Sequence, residues 1–129
     1  MEASRAADFA RAWVAAWNAH DIERILSHYT DDVEMTSRYV GAAYGEGGTA
    51  RGKAAVRDYW TNGLARVPDM RLELIDVFAG VDSIAIYYKT TLTGATALDV
   101  LELAPDGRAR RGHAHYTVPP QSPPEPPAA

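Results

Sequence analysis

The chain contains no cysteine, which excludes disulfides, thiolate chemistry and cysteine-ligated zinc and leaves the redox compartment open. It also lacks a basic stripe. With 13 Lys and Arg against 17 Asp and Glu the formal net charge is -4, so nothing is on hand to neutralise a run of phosphates, and nucleic-acid binding is not expected. Long apolar runs are missing too: the opening stretch MEASRAADFARAW is charged and helical in pattern, with neither the apolar core of a signal peptide nor the length of a membrane span. The expectation is a soluble, cytoplasmic protein with no membrane partner. No phosphate loop, dinucleotide fingerprint or metal-ligand cluster is present, so no cofactor is called for. The 129 residues suffice for one core and fall short of two.

What is present divides cleanly along the chain. Over residues 6–19, Phe9, Trp13 and Trp17 recur at i, i+4, i+8 beside Ala12 and Ala16, which gives one helix face a heavy aromatic stripe. Asn18, Ala19 and His20 break that helix. Asp21 then caps a second, short one in which Ile22, Ile25, Leu26 and Tyr29 keep helical spacing. A strand follows over residues 33–37, with Met35 and Ser37 on one face and Glu34 and Thr36 on the other. Residues 38–51 are rich in Gly and small side chains without a period, and read as a long loop of the kind that forms lids or stays disordered.

A third helix is expected over residues 53–66, where Val56, Tyr59, Trp60, Gly63 and Leu64 share a face, and Pro68 stops it. Two strands come next, residues 71–78 and 83–92. In the second, Ile84, Ile86, Tyr88 and Thr90 oppose Ala85, Tyr87 and Lys89. The last folded unit is a hairpin over residues 98–116, LDVLEL and RARRGHAHY around the turn Ala104-Pro105-Asp106-Gly107. The proline-dense residues 119–129 cannot feed a sheet ladder and are expected to form a disordered or extended tail beyond a domain of residues 1–118.

This order is α+β, with helices gathered on one face of a curved, mainly antiparallel sheet. Residues 6–118 resemble the nuclear transport factor 2-like (NTF2-like) superfamily in its SnoaL-like and ketosteroid-isomerase-like branch, through the elbow WNAHDIERILSHYTDDVEM, the helix opening GKAAVRDYWTNGL, and ALDVLEL followed by a DG turn and GHAHY. The resemblance implies a cone: three N-terminal helices packed on the sheet and enclosing a largely apolar pocket. It further implies a homodimer through the convex sheet face, where His113 and His115 would sit. Such folds host isomerases, polyketide cyclases, epoxide hydrolases, dehydratases and plain binding proteins, so the fold alone does not fix function.

Set against the isomerase pattern, Trp13 occupies the place of the oxyanion-binding tyrosine, Ser37 that of the general-base aspartate, and Glu102 that of the protonated aspartate. Steroid isomerisation by that mechanism is therefore not expected. In the family's orientation Leu98, Val100 and Glu102 point into the pocket with Ile84, Ile86, Tyr88 and Thr90, which would raise the Glu102 pKa and suit it to proton transfer. Tyr88, Tyr116 or Ser37 would donate to a substrate oxygen. Trp13, Trp17, Tyr29 and Trp60 would supply an aromatic lining, with Ile84, Ile86 and Val100, for a flat hydrophobic small molecule.

A structural reading of Glu102 stands beside the catalytic one. A three-residue connection with Gly107 as a G1 bulge pairs Ala104 with Arg108 and Glu102 with Arg110, an ion pair across the hairpin. That register sets His113 and His115 with Asp99 and Leu101 on the convex face, and Gly112, Ala114 and Tyr116 inward. A two-residue Asp106-Gly107 turn would instead bring the histidines beside Glu102. The two histidines lack a third ligand nearby in sequence, so no metal is expected. Two functions follow: a cofactor-independent isomerase, cyclase or hydro-lyase, or a ligand-binding or dimeric scaffold module without chemistry.

Overall fold

Apolar spacing builds each helix. In the computed structural model, which describes residues 1–40 and 47–118, helix α1 (Ala3–Asn18) buries Ala6, Ala10, Trp13 and Ala16 along one face. It stops where His20 takes a left-handed φ of 55°. Asn18 then acts as a surrogate strand neighbour, donating Nδ2 to the Leu72 carbonyl at 2.9 Å and accepting the Leu72 N–H at 2.7 Å. Helix α2 (Ile22–Leu26) starts at Asp21, whose carboxylate accepts the Arg24 N–H at 3.1 Å, the expected cap.

Strand β1 (Tyr29–Thr36) begins earlier than its sequence pattern suggests. Tyr29 keeps the helical spacing of α2, yet it pairs with Ala109 across the sheet, and the Ala109 N–H donates to the His28 carbonyl at 2.8 Å. Long-range strand pairing overrides the local period. Strand β2 (Thr49–Arg51) lies inside the segment read as unbroken loop and pairs with β1 through Met35 and Ala50. Three residues are too few for an alternation to show. Residues 41–46 of that expected loop, and the expected tail at 119–129, lie outside the described residues.

Helix α3 (Lys53–Arg66) buries Val56, Trp60 and Leu64. Because it follows β1 and β2, the helices are not all N-terminal as expected: two precede the sheet and the third is inserted into it. Strands β3 (Leu72–Ala79), β4 (Ser83–Thr90), β5 (Ala95–Leu103) and β6 (Ala109–Tyr116) complete a six-stranded sheet of order β2-β1-β6-β5-β4-β3. Its ladders are antiparallel except β1 with β6, which is parallel, so the sheet is mixed. Helix α1 covers β3 and α3 covers β1, leaving the core between helices and sheet. No helix among the described residues is long and apolar enough to cross a membrane.

The facing of β5 corrects one sequence expectation and decides the site. The turn forms as read: Gly107 takes φ 88°, its N–H donates to Ala104 O at 2.9 Å, and Ala104 N–H donates to Arg108 O at 2.7 Å. Leu103 then pairs with Ala109, but Glu102 pairs with Arg111, so Arg110 has no partner and the ladder bulges there. Across the sheet Ile84 meets Leu101 and Ile86 meets Asp99. Ala97, Asp99, Leu101 and Leu103 are therefore the buried row of β5, and Leu98, Val100 and Glu102 face outward.

Candidate functional site

Small residues on the inner sheet face make room for a cavity. Ala97 lies between Tyr88 on β4 and Tyr116 on β6 in the two ladders, so two large rings flank a methyl group. Asp99 is the next inward residue of β5, opposite Ala114. Above them, α1 supplies Trp13 and Trp17 and α3 supplies Tyr59 and Trp60. The resulting cavity is ≈ 110 Å³. Its rings lock one another: Trp17 meets Trp60 edge-on at 4.9 Å, Trp13 meets Tyr88 at 5.5 Å, and Tyr39 meets Tyr116 at 4.8 Å between centroids.

Asp99 is the chemical centre of this cavity. It is 5% exposed, and Tyr88 donates its hydroxyl proton to Oδ1 at 2.6 Å. Burial pushes its carboxyl up to about 6, against the lowering effects of the Tyr88 hydrogen bond and of His115. The neighbouring phenols move further from ionisation. Burial and then the Asp99 charge raise Tyr88 and Tyr116, and burial takes Tyr59 up to about 12 even though a hydrogen bond with Ser37 opposes it. These tyrosines stay neutral donors through the physiological range, beside a carboxylate that titrates within reach of it.

Ser37, just past β1, shares hydrogen bonds with the hydroxyls of Tyr59 and Tyr116. It is fixed by its own backbone, whose N–H donates to Gly48 O at 2.9 Å. Two further donors stand unused: Trp17 Nε1 and Tyr39 Oη are buried with no hydrogen-bond partner among the described residues. Each such orphan costs about 1–3 kcal/mol unless something outside the chain satisfies it. Trp13, by contrast, gives its one N–H to Tyr29 Oη at 2.8 Å and has none left for a ligand.

Of the residues singled out from sequence, Ser37, Tyr88, Tyr116, Trp13, Trp17 and Trp60 line this cavity together. Tyr29, Ile84 and Ile86 lie in the fully buried core and do not line it. Val100 and Glu102 are on the opposite face. The Glu102 side chain is 33% exposed, accepts from His113 Nε2 at 2.8 Å and lies 3.9 Å from Arg111. The His113 hydrogen bond holds its carboxyl below the usual range, the reverse of the expected rise. His113 and His115 do lie on the outer face and Gly112 and Ala114 on the inner, but their outward companions are Val100 and Glu102, not Asp99 and Leu101. The residues that sequence reasoning missed are Asp99, Tyr59 and Tyr39. Asp99 could have been found by carrying the Ile84, Ile86, Tyr88 row across the β4–β5 ladder.

An α+β unit with helices over one face of a six-stranded mixed sheet is the architecture of the NTF2-like fold. Residues 10–120 match the family model described as SnoaL-like domain, and the chain belongs to that family. It is 43% identical to a SnoaL-like protein of unknown function from Burkholderia thailandensis E264, covering 91% of this chain and 98% of that one with a TM-score of 0.86. TerC, solved with polyporic acid, is 27% identical over 88% of this chain and 92% of its own, with a TM-score of 0.65. A polyketide cyclase-type structure from Sinorhizobium meliloti shares the fold at 16% identity, covering 84% and 94% of the two chains with a TM-score of 0.66. No curated protein matches the sequence.

Proposed function

We propose that the chain is a proton-transfer enzyme of the isomerase, cyclase or hydro-lyase kind, acting on a hydrophobic carbonyl compound bound in the aromatic cavity. One observation carries the reading: a buried carboxylate, Asp99, lines that cavity with its Oδ1 held by Tyr88 and its pKa at about 6. Ionised Asp99 takes a proton from the carbon next to the carbonyl, and the electron pair moves onto the oxygen as an enolate. The hydroxyls of Ser37, Tyr59 and Tyr116 are linked by two hydrogen bonds, which leaves one hydroxyl proton of the three to donate to that oxygen. Asp99, now neutral, returns the proton to another carbon of the conjugated system. Tyr88 is a positioning residue, because it fixes the carboxylate without touching the reacting atoms. The cyclase named among the structural neighbours supports the reaction class by fold analogy only.

The test needs no knowledge of the natural substrate. Exchange of the acidic protons of 2-indanone for deuterium in D₂O, followed by proton NMR, reports abstraction next to a carbonyl. The wild-type rate should rise with pH through about 6 and then level, as Asp99 becomes the free base. Asp99→Asn should abolish the enzymatic part, and Glu102→Gln should leave it intact. Wild-type exchange in Asp99→Asn, or no inflection near pH 6, would sink the proposal.

A further inference from the structure

The outer face of the sheet carries a second constellation, on the side away from the cavity. One cross-strand row passes over all six strands, neighbour to neighbour through the ladders: Phe78, Ala85, Val100, His113, Thr36 and Thr49. Half of it is apolar and half polar. Where the halves meet, His113 is held from both ends, with Thr36 Oγ1 at 2.9 Å from Nδ1 and Glu102 Oε2 at 2.8 Å from Nε2. From this geometry we propose that Thr36 is a nucleophile, His113 its general base and Glu102 the positioning carboxylate of a site that hydrolyses hydrophobic esters through an acyl-Thr36 intermediate.

The bonding fixes the tautomer. A carboxylate only accepts, and the His113 hydrogen bond itself favours the ionised form of Glu102, so the imidazole proton sits on Nε2. Nδ1 then presents a lone pair, and the Thr36 hydroxyl donates to it. A hydroxyl nucleophile needs this arrangement: a base within hydrogen-bond reach, itself oriented by a third group. Arg111 approaches the other carboxylate oxygen, Oε1, at 3.9 Å and leaves the His113 bond alone. The group is also open to solvent, with the His113 and Glu102 side chains 35% and 33% exposed and Thr36 half-buried beside them.

The chemistry balances with water as the only co-reactant. Thr36 Oγ1 bonds to the ester carbonyl carbon as its proton passes to His113 Nδ1, and the carbonyl π pair moves onto the oxygen. Thr49 faces Thr36 directly across the β1–β2 ladder, with its Cβ about 5 Å away, so its hydroxyl is in place to donate to that oxyanion. Collapse of the adduct breaks the bond to the leaving alkoxide, which takes the proton from Nδ1. Water then loses a proton to Nδ1, attacks the acyl carbon, and the acid leaves as Thr36 regains its hydroxyl proton. The acyl chain lies toward Val100, Ala85 and Phe78, the last of them 55% exposed.

The test treats the full chain with 4-nitrophenyl octanoate and follows released 4-nitrophenolate, intact mass and the mapped site of the acyl group. The acyl group should be found on Thr36. Thr36→Val, nearly the same shape without the hydroxyl, should lose that adduct, and Thr36→Ser should keep it. His113→Asn should slow acylation at least about 100-fold. Glu102→Gln should slow it at least about tenfold, because an amide no longer holds the proton on Nε2. A clasp that merely joins strands would lower the urea midpoint in these variants with no acyl group ever reaching Thr36. The proposal is overturned if the acyl group is found on His113, on a lysine or nowhere, or if Thr36→Val cleaves the ester as fast as the wild type. The triad and Asp99 lie on opposite sides of the sheet and share no residue, so failure here leaves the cavity reaction standing, and the converse holds.

Discussion

Replacing Asp99 by Asn should make the protein more stable at neutral pH, and the structure sets the size of the gain. The Asp99 carboxyl is raised from its ordinary value of 3.8 to about 6, chiefly by burial. Between those values the folded state holds a proton that the unfolded chain has released. Stability therefore falls as pH rises from about 4 through 6 and is flat above. At about 1.4 kcal/mol per pH unit the loss comes to about 3 kcal/mol. An amide carries no charge to desolvate, and its oxygen still accepts from Tyr88, although replacing a charge-assisted hydrogen bond by a neutral one gives back about 1 kcal/mol. Urea unfolding of wild type and variant, repeated over pH 4 to 8, should show the two curves converging at the acid end. Above pH 6 they should separate by about 2–3 kcal/mol in favour of the variant. A separation that is absent, or that opens in the acid range, would mean that Asp99 is not a desolvated carboxylate, and the case for it as a base near neutrality would go with it. If the separation appears, the residue proposed as the base is one the fold would be more stable without.

Other perturbations address single contacts. Tyr88→Phe removes a hydrogen bond that lowers the Asp99 pKa, so its carboxyl should titrate above 6 by carbon NMR, and the inflection of the exchange rate should move up with it. A side chain at Gly112 would meet Met35 Cε at 2.7 Å and Leu101 Cδ2 at 3.0 Å. Gly112→Val should therefore cost about 1–3 kcal/mol, seen as a lower urea midpoint at unchanged slope. Asn18→Ala leaves the Leu72 N–H and C=O without their side-chain partner; a loss of about 1–3 kcal/mol and faster hydrogen exchange at the Leu72 amide are expected. His113→Ala removes the group that holds the Glu102 carboxyl low, so that carboxyl should return toward its ordinary range by NMR with global stability changed by less than about 0.5 kcal/mol.

Apolar rhythm made most of the architecture legible. The stripe through Trp13, the Asp21 cap, the Ile84 to Thr90 row and the Gly107 turn all follow from local chemistry, and all are present. The site was half legible for a definite reason. Strand β5 reads as two rows of nearly equal character, Ala97, Asp99, Leu101 and Leu103 against Leu98, Val100 and Glu102, each with large apolar side chains and one acid. Hydrophobicity cannot choose between them. The choice is made by pairing with β4, and on the other side by a bulge at Arg110 that no residue preference announces. One unpaired residue moved the candidate acid from Glu102 to Asp99. Strand β2 and the start of β1 escaped for another reason, since partners distant in sequence define both.

The sheet order carries a consequence for how the chain assembles. Strand β6 stands at the middle of the sheet, joining β1 on one side to β5 on the other, although it follows all the other strands in sequence. During synthesis, β1 with β2 and β3 with β4 and β5 emerge as two unjoined pieces, each with an open edge where β6 will lie. The cavity has no continuous floor until that strand arrives with Ala114 and Tyr116. Closure of so distant a contact is slow compared with hairpin formation. A chain arrested anywhere before residue 109 would present two exposed strand edges to a chaperone, so the moment of β6 insertion separates a closed six-stranded sheet from a pair of aggregation-prone pieces.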